Sequence, residues 1–403
     1  MRISCMAPWR SKRPRDTISW RFPREMRCSA AYVHIPFCGS KCPYCDFNSY
    51  AGISHLAARY VDALCRQIEE SPPSCDGPLR TVFFGGGTPS LLPVESLVRI
   101  LEALRSRFGL AEDAEVTLEA NPESAGPEKL ARLRQGGFNR LSMGAQDFDD
   151  DLLRVLGRAH DHHRFLQAFQ DARAAGFDNI SFDLMFALPG QTLDGLRRTL
   201  EAAIMLHPEH ISAYCLTIEE GTAFHRMRQA GRLDLPGEEE QAEMFLLTRS
   251  LLEDAGYEHY EISNYALPGH RCRHNEVYWR NEPYRGFGPG AVEFVEGRRV
   301  MWERDPAEFI RQVEENGRAR EVFSETLDAE RAAGESTMLA LRTADGADLA
   351  EISHRFGLDA EHLFRREIER YRASGLLEQG GSRIRLTRSG QLLADEVAAA
   401  FLR

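Results

Sequence analysis

Six short apolar runs recur through the first half of the chain, at residues 31–35, 81–84, 115–119, 139–143, 179–184 and 210–216. Their lengths suit strands, and amphipathic helical spacing fills the gaps at 55–69, 94–107, 127–135, 152–175 and 193–206. Strand alternating with helix predicts βαβ units, a parallel sheet and an α/β fold. Right-handed crossovers then curl six units into a partial (β/α)6 barrel or a strongly twisted open sheet.

The second half reads differently. Residues 281–290 (NEPYRGFGPG) are rich in Gly and Pro and predict an ordered loop near a site or a surface turn. From Thr326 helical patterns predominate to residue 374. A hairpin-like piece at 376–386 follows, with Gly380 and Gly381 at its centre, and then a last helix to Leu402. Helices followed by a small β-wing suggest a winged-helix-like domain. Its basic fraction is modest, which fits a packing or partner domain better than a DNA reader. The chain therefore divides into residues 1–28, a barrel with its following segment at 29–325, and a mostly helical domain at 326–403.

Charge changes the picture at one end. Residues 1–30 hold eight basic and two acidic side chains, in a chain whose net charge is −11. The acidic remainder excludes nucleic acid as the main partner, because duplex binding needs a basic face. The Arg-rich start has no apolar core of the secretory kind. It reads either as an organellar transit peptide or as sequence upstream of a true start at Met26, and it is expected to contribute no packed element through residue 28. No apolar run reaches the roughly 18–20 residues of a membrane span. Nine cysteines are present, three of them within eight residues, which is no disulfide framework and points to a reducing, cytoplasmic setting.

Those three cysteines carry the first chemistry. Cys38-Gly-Ser-Lys-Cys42-Pro-Tyr-Cys45 is a C-x3-C-x2-C run directly after the first strand. A structural zinc closes its tetrahedron with four ligands. Three thiolates on a four-iron cubane leave one iron open, able to take the amino and carboxylate groups of S-adenosylmethionine for reductive cleavage. A zinc site completed by Cys65 and a redox pair of Cys42 and Cys45 are the other readings of the spacing.

Polar residues then mark the C-terminal end of every later strand: Gly85–Thr88, Glu119 with Asn121, Gln146, Asp183, and Cys215 with Thr217. In parallel α/β folds that rim is where sites are built. The glycine run would let backbone pass close to a ligand, with amides free for it, although a tight turn alone also explains three glycines. Glu119 and Asp183 suit ribose hydroxyls or a sulfonium, and Gln146 and Arg158 suit the adenosyl or methionyl part.

Together these residues resemble the radical S-adenosylmethionine superfamily, and within it the oxygen-independent coproporphyrinogen III oxidase branch. The similarity runs through YVHIPFC, CPYCDF, FFGGGTPS, EANPES, RLSMGAQ, LGRAH and DLMFALPGQT. It implies a [4Fe–4S] cluster on Cys38, Cys42 and Cys45. It also implies S-adenosylmethionine contacts at Tyr32, Tyr44, Gly86, Gly87, Thr88, Glu119, Gln146, Arg158 and Asp183. The branch contains oxidases and haem chaperones. The oxidases carry a fourth cysteine where this chain has Phe47, and a longer arm before the cluster. The segment Cys272-Arg-His274-Asn275-Glu-Val-Tyr278-Trp279 contains H-N-x-x-Y-W, similar to the haem-binding signature of the chaperone group. That resemblance implies haem contacts at His274, Asn275, Tyr278 and Trp279, with His274 as axial ligand or as a positioning residue. The implied partners are haem and haem-accepting proteins such as respiratory enzymes; a homodimer and a peripheral membrane contact are left open.

Overall fold

A computed structural model gives the structure of residues 28–73 and 77–403. The expectation for the N-terminal extension lies outside the described residues, except at Cys28, which is buried and points its thiol at the Ala30 carbonyl.

Six parallel strands form the centre: Ala30–Ile35, Leu79–Gly86, Leu110–Ala120, Arg140–Gln146, Ile180–Phe186 and His210–Cys215. They lie side by side in chain order. Helices Ala57–Glu70, Val94–Phe108, Pro127–Gln135, His162–Ala174 and Leu193–Met205 form the crossovers. The period-two alternation of the strands explains the layering. Val33, Val82, Leu118, Met143, Phe182 and Ile211 belong to the apolar core shared with the helices. The opposite face carries Tyr32, His34, Thr81, Glu115, Glu119, Arg140, Ser142, Asp183, His210 and Ser212. The sheet thus has a dry outside and a polar inside.

The sheet curls around that inside. Residues 272–278 meet Thr81 of the second strand and Glu115 of the third, and Cys272 also meets Tyr260, which hydrogen-bonds His210 of the sixth. One segment that meets the second and third strands directly and the sixth through Tyr260 requires a curved sheet.

Up to Thr326 three features differ from the sequence expectation. The helix expected at 152–175 is two helices, Asp150–Val155 and His162–Ala174. Gly157 takes φ +66°, a left-handed conformation that ends the first, and the Asp161 carboxylate caps the second through Arg164 N–H at 2.8 Å. The break places Arg158 and His160 on a loop at the rim. Next, the 281–290 segment contains a strand, Arg285–Phe287, that pairs parallel with the first strand, while Glu258–Glu261 and Asn264–Ala266 extend the other edge antiparallel, making nine strands. Third, an antiparallel sheet of Val292–Val295, Arg298–Trp302 and Glu321–Thr326 follows it.

Beyond Thr326 stand helices Ala329–Ala340, Leu349–Phe356, Ala360–Leu363 and Arg365–Ala373. A hairpin of Leu377–Gly380 and Arg383–Leu386 is joined by Ala347–Asp348, giving the small three-stranded wing of a winged-helix arrangement. The final helix is two, Arg388–Leu392 and Ala394–Ala399. No helix among the described residues is long and apolar enough to cross a membrane.

Candidate functional site

The cysteine loop leaves the first strand through Phe37–Cys38, which pairs with Tyr50–Ala51. Each thiol has a polar side chain beside it. Thr88 Oγ1 lies 3.7 Å from Cys38 Sγ, Arg158 Nη1 3.8 Å from Cys42 Sγ, and Ser49 Oγ 4.0 Å from Cys45 Sγ. Burial is what pushes the Cys45 thiol up. The loop is anchored by Lys41, which donates to the Phe47 and Ser49 carbonyls, and by Asn48, which donates to Pro289 and Arg304 carbonyls far along the chain.

Cys65 is not near this loop. It sits in the core on helix Ala57–Glu70, and burial pushes its thiol up to about 11. A fourth ligand from Cys65 is therefore excluded. Among the described residues no three His, Cys, Asp or Glu side chains converge to hold a single metal ion. Three part-exposed thiols on one loop, each beside a polar side chain, fit a soft multi-iron cluster.

A chain of polar contacts runs from the cysteines around the rim. Asn121 Nδ2 donates to Thr88 Oγ1 at 3.3 Å, and Arg158 Nη2 donates to Asn121 Oδ1 at 2.6 Å and to the Gly144 carbonyl at 3.3 Å. Arg158 Nε and Gln146 Oε1 are buried and lack hydrogen-bond partners. Buried polar atoms of this kind are costly unless something completes them. Gln146 also sits at φ +58°, beside a bulge that shifts its register against Leu184. The bulge re-aims the side chain, and the strained backbone marks a position kept for a purpose. These orphaned groups fit the polar cofactor that the resemblance implies.

The glycine run works otherwise than expected. Its amides are already used: Gly86 N–H donates to Glu119 Oε2 at 3.0 Å, Gly87 N–H to the Ile35 carbonyl and Thr88 N–H to the Phe37 carbonyl, both at 2.7 Å. A Cβ on Gly87 would lie 2.6 Å from the Phe37 oxygen, and one on Gly86 would strike the His34 ring. The glycines let the second strand press against the cysteine loop. The polar side chain that the run brings to the rim is Thr88, between Cys38 and Asn121.

Below the rim, Glu119 and Asp183 share the inner face. Burial and the neighbouring Asp183 push Glu119 up to about 8. Burial pushes Asp183 up to about 6 against the opposing pull of Ser142 and Ser212, and Ser142 Oγ donates to both Asp183 oxygens at 3.0 and 3.1 Å. A carboxylate pair in a buried wall suits a cationic or hydroxyl-bearing ligand. Tyr32 hydrogen-bonds His34 and stacks on Phe83. Tyr44 packs beside Phe224, with burial and the neighbouring Cys42 holding its hydroxyl protonated. Sequence reading missed His34, Asn48, Arg140 and Ser142. The signal for Arg140 and Ser142 is present in RLSMGAQ, whose alternate positions are polar.

Cys272–Trp279 lies elsewhere. Cys272 opens helix Arg273–Trp279, whose start is held inside the barrel: Glu115 accepts from His274 N–H at 3.1 Å and Arg273 N–H at 3.2 Å. His274 is fully enclosed, its Nδ1 bonded to Thr81 and its Nε2 to Tyr278, each at 2.9 Å, with its ring stacked on Phe83. Burial pushes this imidazole down to about 3. Tyr278 packs on Tyr284, Asn275 is half-buried, and Trp279 faces outward under the Arg342 guanidinium. The structure thus gathers Cys38, Cys42, Cys45, Thr88 and Arg158 at one rim, with Gln146, Glu119 and Asp183 lining the strands beside them. It sets His274 apart, at the level of Thr81 and Glu115 toward the strand starts.

Comparison with known proteins shows the family. The radical SAM superfamily matches residues 32–203, and the HemN C-terminal domain matches residues 327–393. The haem chaperone HemW of Bacillus subtilis is 38% identical over 93% of this chain and 99% of its own length. The chain belongs to the HemW family of haem chaperones. HemW of Escherichia coli is 35% identical over 92% of this chain and 97% of that protein. The coproporphyrinogen III oxidase HemN of Escherichia coli, a radical SAM enzyme, has the same fold, with a TM-score of 0.81 at 25% identity over 93% of this chain and 90% of that one.

Proposed function

We propose that the protein is a cytoplasmic haem chaperone that binds haem and passes it to acceptor haemoproteins. The observation that carries this reading is the end-to-end similarity to HemW of Bacillus subtilis, covering 99% of that protein. In this reading Cys38, Cys42 and Cys45 hold a [4Fe–4S] cluster. Gln146, Arg158, Glu119, Asp183, Thr88, Tyr32, Tyr44, Gly86 and Gly87 surround S-adenosylmethionine. When bound, the cluster supplies one-electron chemistry. The chain's own contribution is to hold the thiols with Thr88, Arg158 and Ser49, to orient the ligand with Gln146 and Arg158, and to balance its charge with Glu119 and Asp183. His274 keeps the H-N-x-x-Y-W helix in place rather than presenting a nitrogen.

A second reading, an oxygen-independent coproporphyrinogen III oxidase, rests on the HemN-like fold. Phe47, 59% exposed where the oxidases carry a cysteine, weighs against it. Anaerobic reconstitution followed by haem titration, and incubation with coproporphyrinogen III under reducing conditions, separates the two. Haem binding without porphyrinogen loss is the expected result. Consumption of coproporphyrinogen without haem binding would overturn the chaperone reading.

A further inference from the structure

Asn121 stands at the end of the third strand, just before the short helical turn Pro122–Ser124. An amide side chain in that position commonly caps the turn, but this one turns to the rim instead. There it bridges the two side chains that reach the first two cysteines. Arg158 Nη2 donates to Asn121 Oδ1 at 2.6 Å, while Arg158 Nη1 donates to Cys42 Sγ at 3.8 Å. Asn121 Nδ2 donates to Thr88 Oγ1 at 3.3 Å, and that hydroxyl lies 3.7 Å from Cys38 Sγ. The Asn121 backbone is held as well, its N–H by Ser90 Oγ at 3.3 Å and its carbonyl by Ser124 N–H and Oγ, each at 3.0 Å. A Cβ on Gly144 would lie 3.1 Å from both Arg158 Nη2 and Asn121 Oδ1, so the bare residue leaves room for their bond.

The first member of this chain fixes the direction of every later bond. A guanidinium only donates, so the Asn121 atom facing Arg158 is the amide oxygen. The amide nitrogen then faces Thr88, and it too only donates. Thr88 Oγ1 therefore accepts from Asn121, and its single proton is left for Cys38 Sγ. Arg158 Nη1 likewise has only protons to offer Cys42. One amide thus orients the donors at two cysteines.

We infer that Asn121 is a positioning residue that sets the reduction potential of the cluster, by holding the Thr88 hydroxyl and the Arg158 guanidinium as donors to Cys38 and Cys42. The inference rests on the reading that these cysteines carry a [4Fe–4S] cluster and adds to it what tunes that cluster. Reduction puts negative charge on a cluster and its sulfurs. A donor at a ligand sulfur stabilises the reduced form and raises the potential, and turning that donor away lowers it.

The test is a redox titration of the full-length protein after anaerobic reconstitution, followed by absorbance and by electron paramagnetic resonance of the reduced cluster. In Asn121→Asp the side chain still holds Arg158 but can only accept, so the Thr88 proton turns from Cys38 to the carboxylate. The potential should fall by at least about 59 mV, a tenfold change in a one-electron equilibrium. Thr88→Val should also lower it, and Thr88→Ser, which keeps the hydroxyl, should hold the parent value. With Thr88→Val already in place, Asn121→Asp should shift the potential less than it does alone. Equal shifts with and without the hydroxyl would assign the effect to the added charge and overturn the relay. Should Asn121→Asp take up no cluster, the two Thr88 variants decide, and equal potentials in Val and Ser would overturn the inference. Both of those results leave the cluster reading standing. A parent that takes up no cluster would overturn both.

Discussion

Glu115 is the residue whose removal should unseat the H-N-x-x-Y-W helix. Its carboxylate is buried and accepts from the backbone N–H groups of Arg273 and His274, with the Cys272 thiol 3.7 Å away. It also opposes the charge of Arg140, which is wholly enclosed in the barrel. In Glu115→Ala two buried N–H groups lose their acceptor, at about 1–3 kcal/mol each, and a buried guanidinium loses a counter-charge, at about 3–5 kcal/mol. The losses overlap because one carboxylate serves all of them, so about 3–5 kcal/mol in total is expected. Glu115→Gln keeps an acceptor but drops the charge and should cost about half of that. Urea unfolding of the parent and both variants measures the difference, and haem titration of the same samples reports whether haem binding depends on the seated helix. Glu115→Ala within about 1 kcal/mol of the parent, the size of an ordinary substitution, would refute the role given to this carboxylate.

Replacing Cys38, Cys42 and Cys45 together by Ser should abolish iron–sulfur absorbance after anaerobic reconstitution; a normal cluster spectrum would remove the loop from that role. Gly87→Ala should lower cluster incorporation and stability together, because its Cβ would lie 2.6 Å from the Phe37 oxygen; intact loading would show that the strand and loop can separate at little cost. Glu119 is raised to about 8 in the fold, so it holds a proton there that the unfolded chain releases near pH 4–5. Its contribution to stability is therefore complete below about pH 4 and declines as pH rises to about 8. Binding of the cationic S-adenosylmethionine should strengthen over the upper part of that window as the carboxylates ionise. Glu119→Gln should flatten the rise, and an unchanged pH profile in that variant would assign it to another group.

The six strands and their order were readable because each carries an apolar face packed under helices, and alternation is a local signal. The rim was readable for the same reason, since a polar residue that closes an apolar run stands out. The edge strand Arg285–Phe287 was not, because its three residues pair only with the first strand, more than two hundred positions away. The break between Val155 and His162 was carried by Gly157, a single left-handed residue inside an otherwise helical pattern. The glycine run misled by being explained too readily: its bare positions face His34 and Phe37, two neighbours that no local pattern announces.

His274 shows why a motif names a segment before it names a ligand. Histidine, asparagine, tyrosine and tryptophan at this spacing occupy two stripes of one short helix, with His274, Val277 and Tyr278 on one side and Glu276, Trp279 and Arg280 on the other. The barrel interior offers the first stripe Thr81, Phe83 and Glu115, partners that satisfy every polar atom of the imidazole. An imidazole bonded at both nitrogens and pushed down to about 3 would have to break a buried hydrogen bond to bind iron. Losing such a bond leaves Thr81 or Tyr278 unmatched in a closed interior, so coordination at His274 starts with a deficit that an exposed imidazole does not carry. The second stripe is held outside the barrel, Arg280 by Glu276 and Trp279 under the Arg342 guanidinium. The two stripes of the motif are thus fixed from opposite sides, one by the barrel interior and the other by charged side chains outside it.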